Sequence, residues 1–153
     1  MVVMADKSVP TSDHIRDIIS FVEASPTSYH AVAELTRRLE QAGFQRLEET
    51  ESWPSVEGRR YVVRDGAVIA WITPEKVTPQ LGARIVGSHT DSPSFKLKPN
   101  ATVTNQGWQQ VGMEVYGGGL LNSWLDRDLG LSGRLVTCDG QAHLVRTGPI
   151  LRI

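Results

Sequence analysis

The periodicity of the apolar residues changes near Pro99, and that change limits the folds open to this chain of 153 residues. Before it, Ile15, Ile18, Ile19 and Val22 follow the i, i+3, i+4, i+7 rule and predict an amphipathic helix with one buried stripe, capped by Ser12 or Asp13. Ser25-Pro26-Thr27 interrupts it. A second helix is expected from near Ser28, with Val32, Leu35 and Leu39 inward, Arg37, Arg38 and Glu40 outward, and Gly43 as its C-terminal stop. The plainest role for such a pair is to cover a sheet.

Two β-rich runs follow, Arg60-Tyr61-Val62-Val63 and Ala67 to Ile72, and the Asp65-Gly66 pair between them signals a hairpin. After Pro74 and Pro79, the run Ala83 to Gly87 is apolar without clean alternation. That pattern predicts a strand covered on both faces inside a mixed α/β sheet. Past Pro99 the helical period fades. Gly107, Gly112, Gly117-Gly118-Gly119, Gly130, Gly133, Gly140 and Gly148 punctuate short runs such as Met113–Tyr116, Ser132–Val136 and Ala142–Val145, with turn chemistry at Asp139-Gly140. A β-rich second unit is expected, with the boundary near residues 93 to 100.

Composition narrows the function classes. The chain is 40% hydrophobic and 22% charged, ordinary for a globular domain with a real core. Its net charge of −1, from 16 basic and 17 acidic residues with neither sign segregated, argues against nucleic acid and membrane surfaces as partners. Cys138 is the single cysteine, so neither an internal disulfide nor a cysteine-cluster zinc site is available, and a reducing compartment fits. Met1 to Pro10 lacks the form of a secretory signal, and no apolar run approaches the ~20 residues of a membrane span. The expected location is cytoplasmic.

The chemistry concentrates at Gly87-Ser88-His89-Thr90-Asp91-Ser92-Pro93. The apolar run before it delivers His89 to a strand's carboxyl end, where open α/β sheets bind ligands. With a period of two, His89 and Asp91 point one way and Thr90 the other, so the carboxylate can orient an imidazole that holds a cation. The residues alone leave alternatives open. A histidine there can be a hydrogen-bonded structural group, and Asp91 can cap the turn before Pro93. Ser88, Ser92 and Ser94 lack a nucleophile elbow, and the triple glycine lacks the basic residue and helix of a phosphate loop. It can serve substrate passage or merely a tight strand connection. Asp126-Arg127-Asp128 reads as a salt-bridged structural turn, and His14, His30 and His143 as surface or packing residues. Lys96 and Lys98 alternate with Leu97 and are expected to face solvent on a strand.

The tract S-H-T-D-S-P-S-F-K-L-K-P from Ser88 to Pro99, together with Y-G-G-G-L-L-N-S-W-L-D-R-D-L-G-L-S-G-R-L from Tyr116 to Leu135 and Phe21–Ala31 earlier, resembles the M18 family of zinc aminopeptidases, the aspartyl aminopeptidases. The resemblance implies an α/β fold: the N-terminal part of a mixed-sheet zinc-peptidase-type catalytic domain over 1–95, then the start of an inserted β-rich oligomerisation domain over 96–153. It implies release of N-terminal Asp or Glu from peptides by zinc-activated water, with two Zn2+ per complete site and Co2+ or Mn2+ able to use similar ligands. His89 is then a metal ligand and Asp91 the residue that orients it. Peptides with acidic N-termini and further copies of the protein are the implied partners.

The family's bridging aspartate, general-base glutamate and most other ligands fall beyond Ile153, so this chain alone is expected to be inactive. Leu120-Leu121-Asn122 and Leu125 depart from the family pattern, which removes the ground for substrate contacts there. A reading from another class is a non-catalytic oligomerisation or regulatory module that retains the peptidase fold. An unrelated serine hydrolase or nucleotide-binding domain lacks its own motif.

Overall fold

A computed structural model describes residues 11–53, 57–76, 78 and 82–152. Met1 to Pro10 and Pro79, used in the sequence reading, lie outside them. The chain forms two compact units: Met1–Thr90 with Ser132–Val145, and Asp91–Leu131 with Arg146–Ile153.

In the first unit, helix α1 (Thr11–Ala24) is followed by helix α2 (Ser28–Gln41). The expected caps of α1 move inward: the helix already includes Thr11, and Asp13 sits in its first turn, where a carboxylate suits the exposed N–H groups. Asp13 accepts a 2.8 Å hydrogen bond from Arg16. The stripe of α1 is helical as predicted but is not buried, with Ile15, Ile18, Ile19 and Val22 each between 51% and 63% exposed. Periodicity fixes which side of a helix is apolar and says nothing of what covers it. Among the described residues α1 is tied to α2 through Arg38, which donates to Asp17 at 2.8 and 2.9 Å and lies over the Phe21 ring at 5.2 Å.

Helix α2 matches its sequence signals at both ends. Thr27 is the N-cap, its hydroxyl accepting from the His30 N–H at 3.3 Å. At the other end Gly43 takes a φ of 79°, which an L side chain resists. Its N–H reaches Glu40 O and the Phe44 N–H reaches Leu39 O, both at 2.9 Å. That pair of bonds is a Schellman motif, and its customary apolar contact joins Phe44 to Leu39. Both belong to the small core with Tyr61, flanked by Val63, Val68 and Ala70.

The sheet of this unit has the order β1-β2-β3, formed by Gln45–Arg46, Gly58–Arg64 and Ala67–Thr73. β2 and β3 make the predicted antiparallel hairpin around Asp65-Gly66, and β1 adds a parallel edge that two residues are too few to announce. Val68 and Ala70 turn to the core while Ile69 and Ile72 stay exposed. The strand expected at Ala83–Gly87 is not formed: residues 82–93 carry no regular structure, and Ile85 and Val86 are 90% and 73% exposed. A strand buried on both faces requires neighbours to pair with, and no described strand pairs with this run.

The second unit is built on a long hairpin, β4 (Ser94–Asn105) antiparallel to β5 (Trp108–Tyr116). Gln106 and Gly107 turn it with φ of 52° and 80°, the doubly left-handed geometry that matches strand twist. Pro99 lacks an N–H, and the register shifts between Leu97 and Thr102 around it. A 3-10 turn at Leu121–Ser123 and a short pair of β6 (Asp128–Leu129) with β9 (Leu151–Arg152) complete the unit. Between β6 and β9 the chain forms β7 (Ser132–Val136) and β8 (Ala142–Arg146), paired across the turn at Asp139-Gly140. No helix among the described residues is long and apolar enough to cross a membrane.

Candidate metal-binding site

His89 lies exposed on the irregular segment that ends the first stretch of unit one. The next residue ties this segment to the β2–β3 turn. Thr90 is half-buried, and its hydroxyl donates a 2.6 Å hydrogen bond to the carbonyl of Gly66, in the β2–β3 turn. The turn is itself held from two sides. Asp65, with a φ of 51°, accepts a 2.6 Å bond from Arg134 of β7, whose guanidinium also lies 4.2 Å from the Tyr29 ring centroid. A Cβ on Gly66 would sit 2.7 Å from Ser28 Oγ and 3.0 Å from its Cβ, so α2 packs against the turn where only glycine fits. The sequence marked Gly66 as a turn residue and not as part of the site, and it gave Thr90 no role beyond the alternation that turns it away from His89.

Asp91 opens the second unit. Its Oδ2 accepts a 2.5 Å hydrogen bond from the phenol of Tyr116, the last residue of β5. This bond and the adjacent negative charge hold the Tyr116 pKa above the usual phenol value. The Lys96 ammonium stands 3.7 Å from the same ring's centroid, so the exposed lysine already faces an aromatic partner. Strand pairing brings these groups together, with Ser94 opposite Tyr116 and Lys96 opposite Glu114. Tyr116 is a residue that sequence reasoning missed, since nothing in a one-dimensional pattern pairs position 91 with position 116.

The other candidates resolve into structural roles. Gly117 takes a φ of 72° with Pro93 against it, so a Cβ there would lie 3.2 Å from Pro93 Cβ. The carboxylates of Asp126 and Asp128 face Arg152, at 3.9 and 3.6 Å, so the ion pairs reach across β6 and β9 and not to Arg127. His30 shares a 2.8 Å contact with Thr27, while His14 and His143 are exposed. A hollow of about 590 Å3 in unit two is lined by Phe95, Val103, Trp108 and Met113 among others. Neither His89 nor Asp91 lines it, and Arg152 is its one ionisable side chain, so it offers no acid–base pair.

An exposed imidazole has the donor chemistry that a divalent zinc ion takes, which makes His89 a candidate for one ligand. Among the described residues no three His, Cys, Asp or Glu side chains gather closely enough to hold a metal ion. The described residues therefore do not by themselves close a cation site.

Comparisons with known proteins bear on the same residues. A family model described as "Aminopeptidase I zinc metalloprotease (M18)" matches residues 21–153. The chain is similar to "Probable M18 family aminopeptidase 2" of Streptomyces avermitilis, 52% identical over 141 residues, a match covering 92% of this chain and 33% of that relative. It is similar also to yeast aminopeptidase 1, with 32% identity and a TM-score of 0.83, covering 92% of this chain and 35% of the other. A structure described as the S. cerevisiae mApe1 dodecamer gives 32% identity and a TM-score of 0.82, over 92% of this chain and 35% of that one. The chain spans about a third of the length of the curated relatives it matches.

Proposed function

The chain belongs to the M18 family of zinc aminopeptidases, and on that footing we propose that it is the front part of an enzyme that releases acidic residues, Asp or Glu, from peptide N-termini by metal-activated water. The observation that carries this reading is the family match across residues 21–153, which takes in both His89 and Asp91. In it, His89 offers one imidazole nitrogen to zinc. Asp91, two positions on, steadies that imidazole and is itself held by Tyr116. The preference for acidic N-termini rests on the likeness of the Ser88–Pro99 and Tyr116–Leu135 tracts to aspartyl aminopeptidases.

Residues 1–95 serve as the first part of the catalytic domain and 96–153 as the start of an inserted domain through which copies assemble. The dodecamer of the yeast relative supports the second role. The protein works in the cytoplasm. On this reading residues 1–153 alone do not turn over substrate, because the likeness to the family assigns the remaining metal ligands and the general base to further polypeptide. The apolar residues exposed on α1 and β3, with Ile18 63% and Ile69 66% exposed, support action together with further polypeptide that covers them.

The test compares residues 1–153 with a longer protein that contains them, using peptides that begin with Asp, Glu or Leu, with and without a zinc chelator. The expected result is chelator-sensitive release of Asp and Glu by the longer protein only. Equal release of Leu defeats the acidic preference, and turnover by residues 1–153 alone defeats the claim that they need a complement.

A further inference from the structure

We propose that Thr90 is a positioning residue for His89, acting through its hydrogen bond to the β2–β3 turn. The inference rests on the reading of His89 as a zinc ligand. Residues 82–93 pair with no described strand, so the backbone that carries His89 takes its position from side-chain anchors beside it. Thr90 is the anchor next to His89: it is half-buried where its neighbours are exposed, and its hydroxyl lies 2.6 Å from Gly66 O. The acceptor is rigid for three separate reasons. Gly66 lies in the turn that closes the seven-pair hairpin of β2 and β3, Ser28 of α2 closes over it at 2.7 Å from where a Cβ would stand, and Arg134 clamps Asp65 at 2.6 Å. All of these groups lie in one compact unit.

The consequence follows from ligand geometry. A metal ligand on an irregular segment costs conformational entropy when it is immobilised on binding, and an anchor one residue away removes much of that loss before metal arrives. Outer partners that orient a ligand typically contribute about 10- to 100-fold in metal affinity. Thr90 differs from the usual outer partner in holding the ligand's backbone and leaving the ring nitrogens alone.

The experiment uses the longer protein that contains this chain, with zinc affinity read by competition against a chromophoric chelator and folding read by thermal midpoint. Thr90→Val removes the hydroxyl and keeps the shape; Thr90→Ser keeps the hydroxyl. The expected result is zinc affinity lowered about 10-fold or more in Thr90→Val, near the original value in Thr90→Ser, with both midpoints close to the unaltered protein. Thr90→Ala, which also lacks the donor, serves if Thr90→Val does not fold, with the same loss expected. Unchanged zinc affinity in the variant lacking the hydroxyl overturns the inference and leaves the peptidase reading standing. Absence of zinc binding by the unaltered protein overturns the peptidase reading itself, and the inference with it.

Discussion

The phenol of Tyr116 donates a hydrogen bond of 2.5 Å to Asp91 Oδ2, joining the end of β5 to the residue that follows the His89-Thr90 pair. The carboxylate favours the protonated phenol, which raises the Tyr116 pKa above the ordinary value of 10.0. Because the folded pKa is raised, the stabilisation is complete below the unfolded pKa and is lost as pH rises through the folded one. Asp91→Asn is expected to bring the Tyr116 titration back down. NMR of the tyrosine ring carbons against pH checks this, and an unmoved titration would show that the bond is absent in solution.

Tyr61 is 1% exposed, and its hydroxyl donates to Glu40 Oε1 at 2.6 Å. Burial first, and the bond to Glu40 second, push its pKa up to about 12. Its contribution to stability is therefore present below about 10 and disappears as pH climbs through about 12. Tyr61→Phe should cost about 1.5–3 kcal/mol in denaturant unfolding at neutral pH, the loss of one bond to a charged acceptor. Tyr61→Ala should cost about 3–5 kcal/mol by emptying the core beside Leu39 and Phe44.

Glu34 accepts from Arg37 at 2.6 and 2.7 Å and from Arg38 at 2.6 Å. These guanidinium bonds lower its pKa from 4.5 to about 2. The depressed value means that the stabilisation is present above 4.5 and is lost as pH falls through about 2. Glu34→Gln is expected to be less stable at neutral pH and to show a flatter stability profile between those limits, followed by the helical circular dichroism signal. An identical acid profile in the two proteins would contradict the assignment.

Gly66 makes room for Ser28, whose Oγ and Cβ lie 2.7 and 3.0 Å from the missing Cβ position. Gly66→Ala is expected to destabilise by about 1–3 kcal/mol through overpacking. Adding Ser28→Ala should recover part of that loss, since contacting residues are not additive. Strict additivity in the double variant would show that the two side chains do not meet.

The sequence carried local structure well and distant partnership poorly. The span and the stop of helix α2 were legible because Gly43 acts through bonds to residues three to five positions away, while Thr27 was read as part of a break and its role as the cap came with the fold. The β2–β3 hairpin was legible because Asp65-Gly66 is a local turn. The burial of α1 was not, since its apolar stripe shows which side would be covered without showing any cover. The run Ala83–Gly87 failed as a strand for the same reason: β-propensity is realised only by pairing, and pairing is a property of other segments. At the candidate site the H-x-D spacing made His89 and Asp91 candidates, whereas the bonds Thr90–Gly66 and Asp91–Tyr116 span 24 and 25 residues and became visible only with the fold.

The zinc content and aspartate-releasing rate of the longer protein, with His89 intact and with His89→Ala, test the central claim most directly. The prediction is that His89→Ala retains the fold, holds less zinc, and releases aspartate more than about 100-fold more slowly, a larger loss than an outer-shell partner accounts for. Full zinc occupancy together with an unchanged rate in His89→Ala would contradict the account.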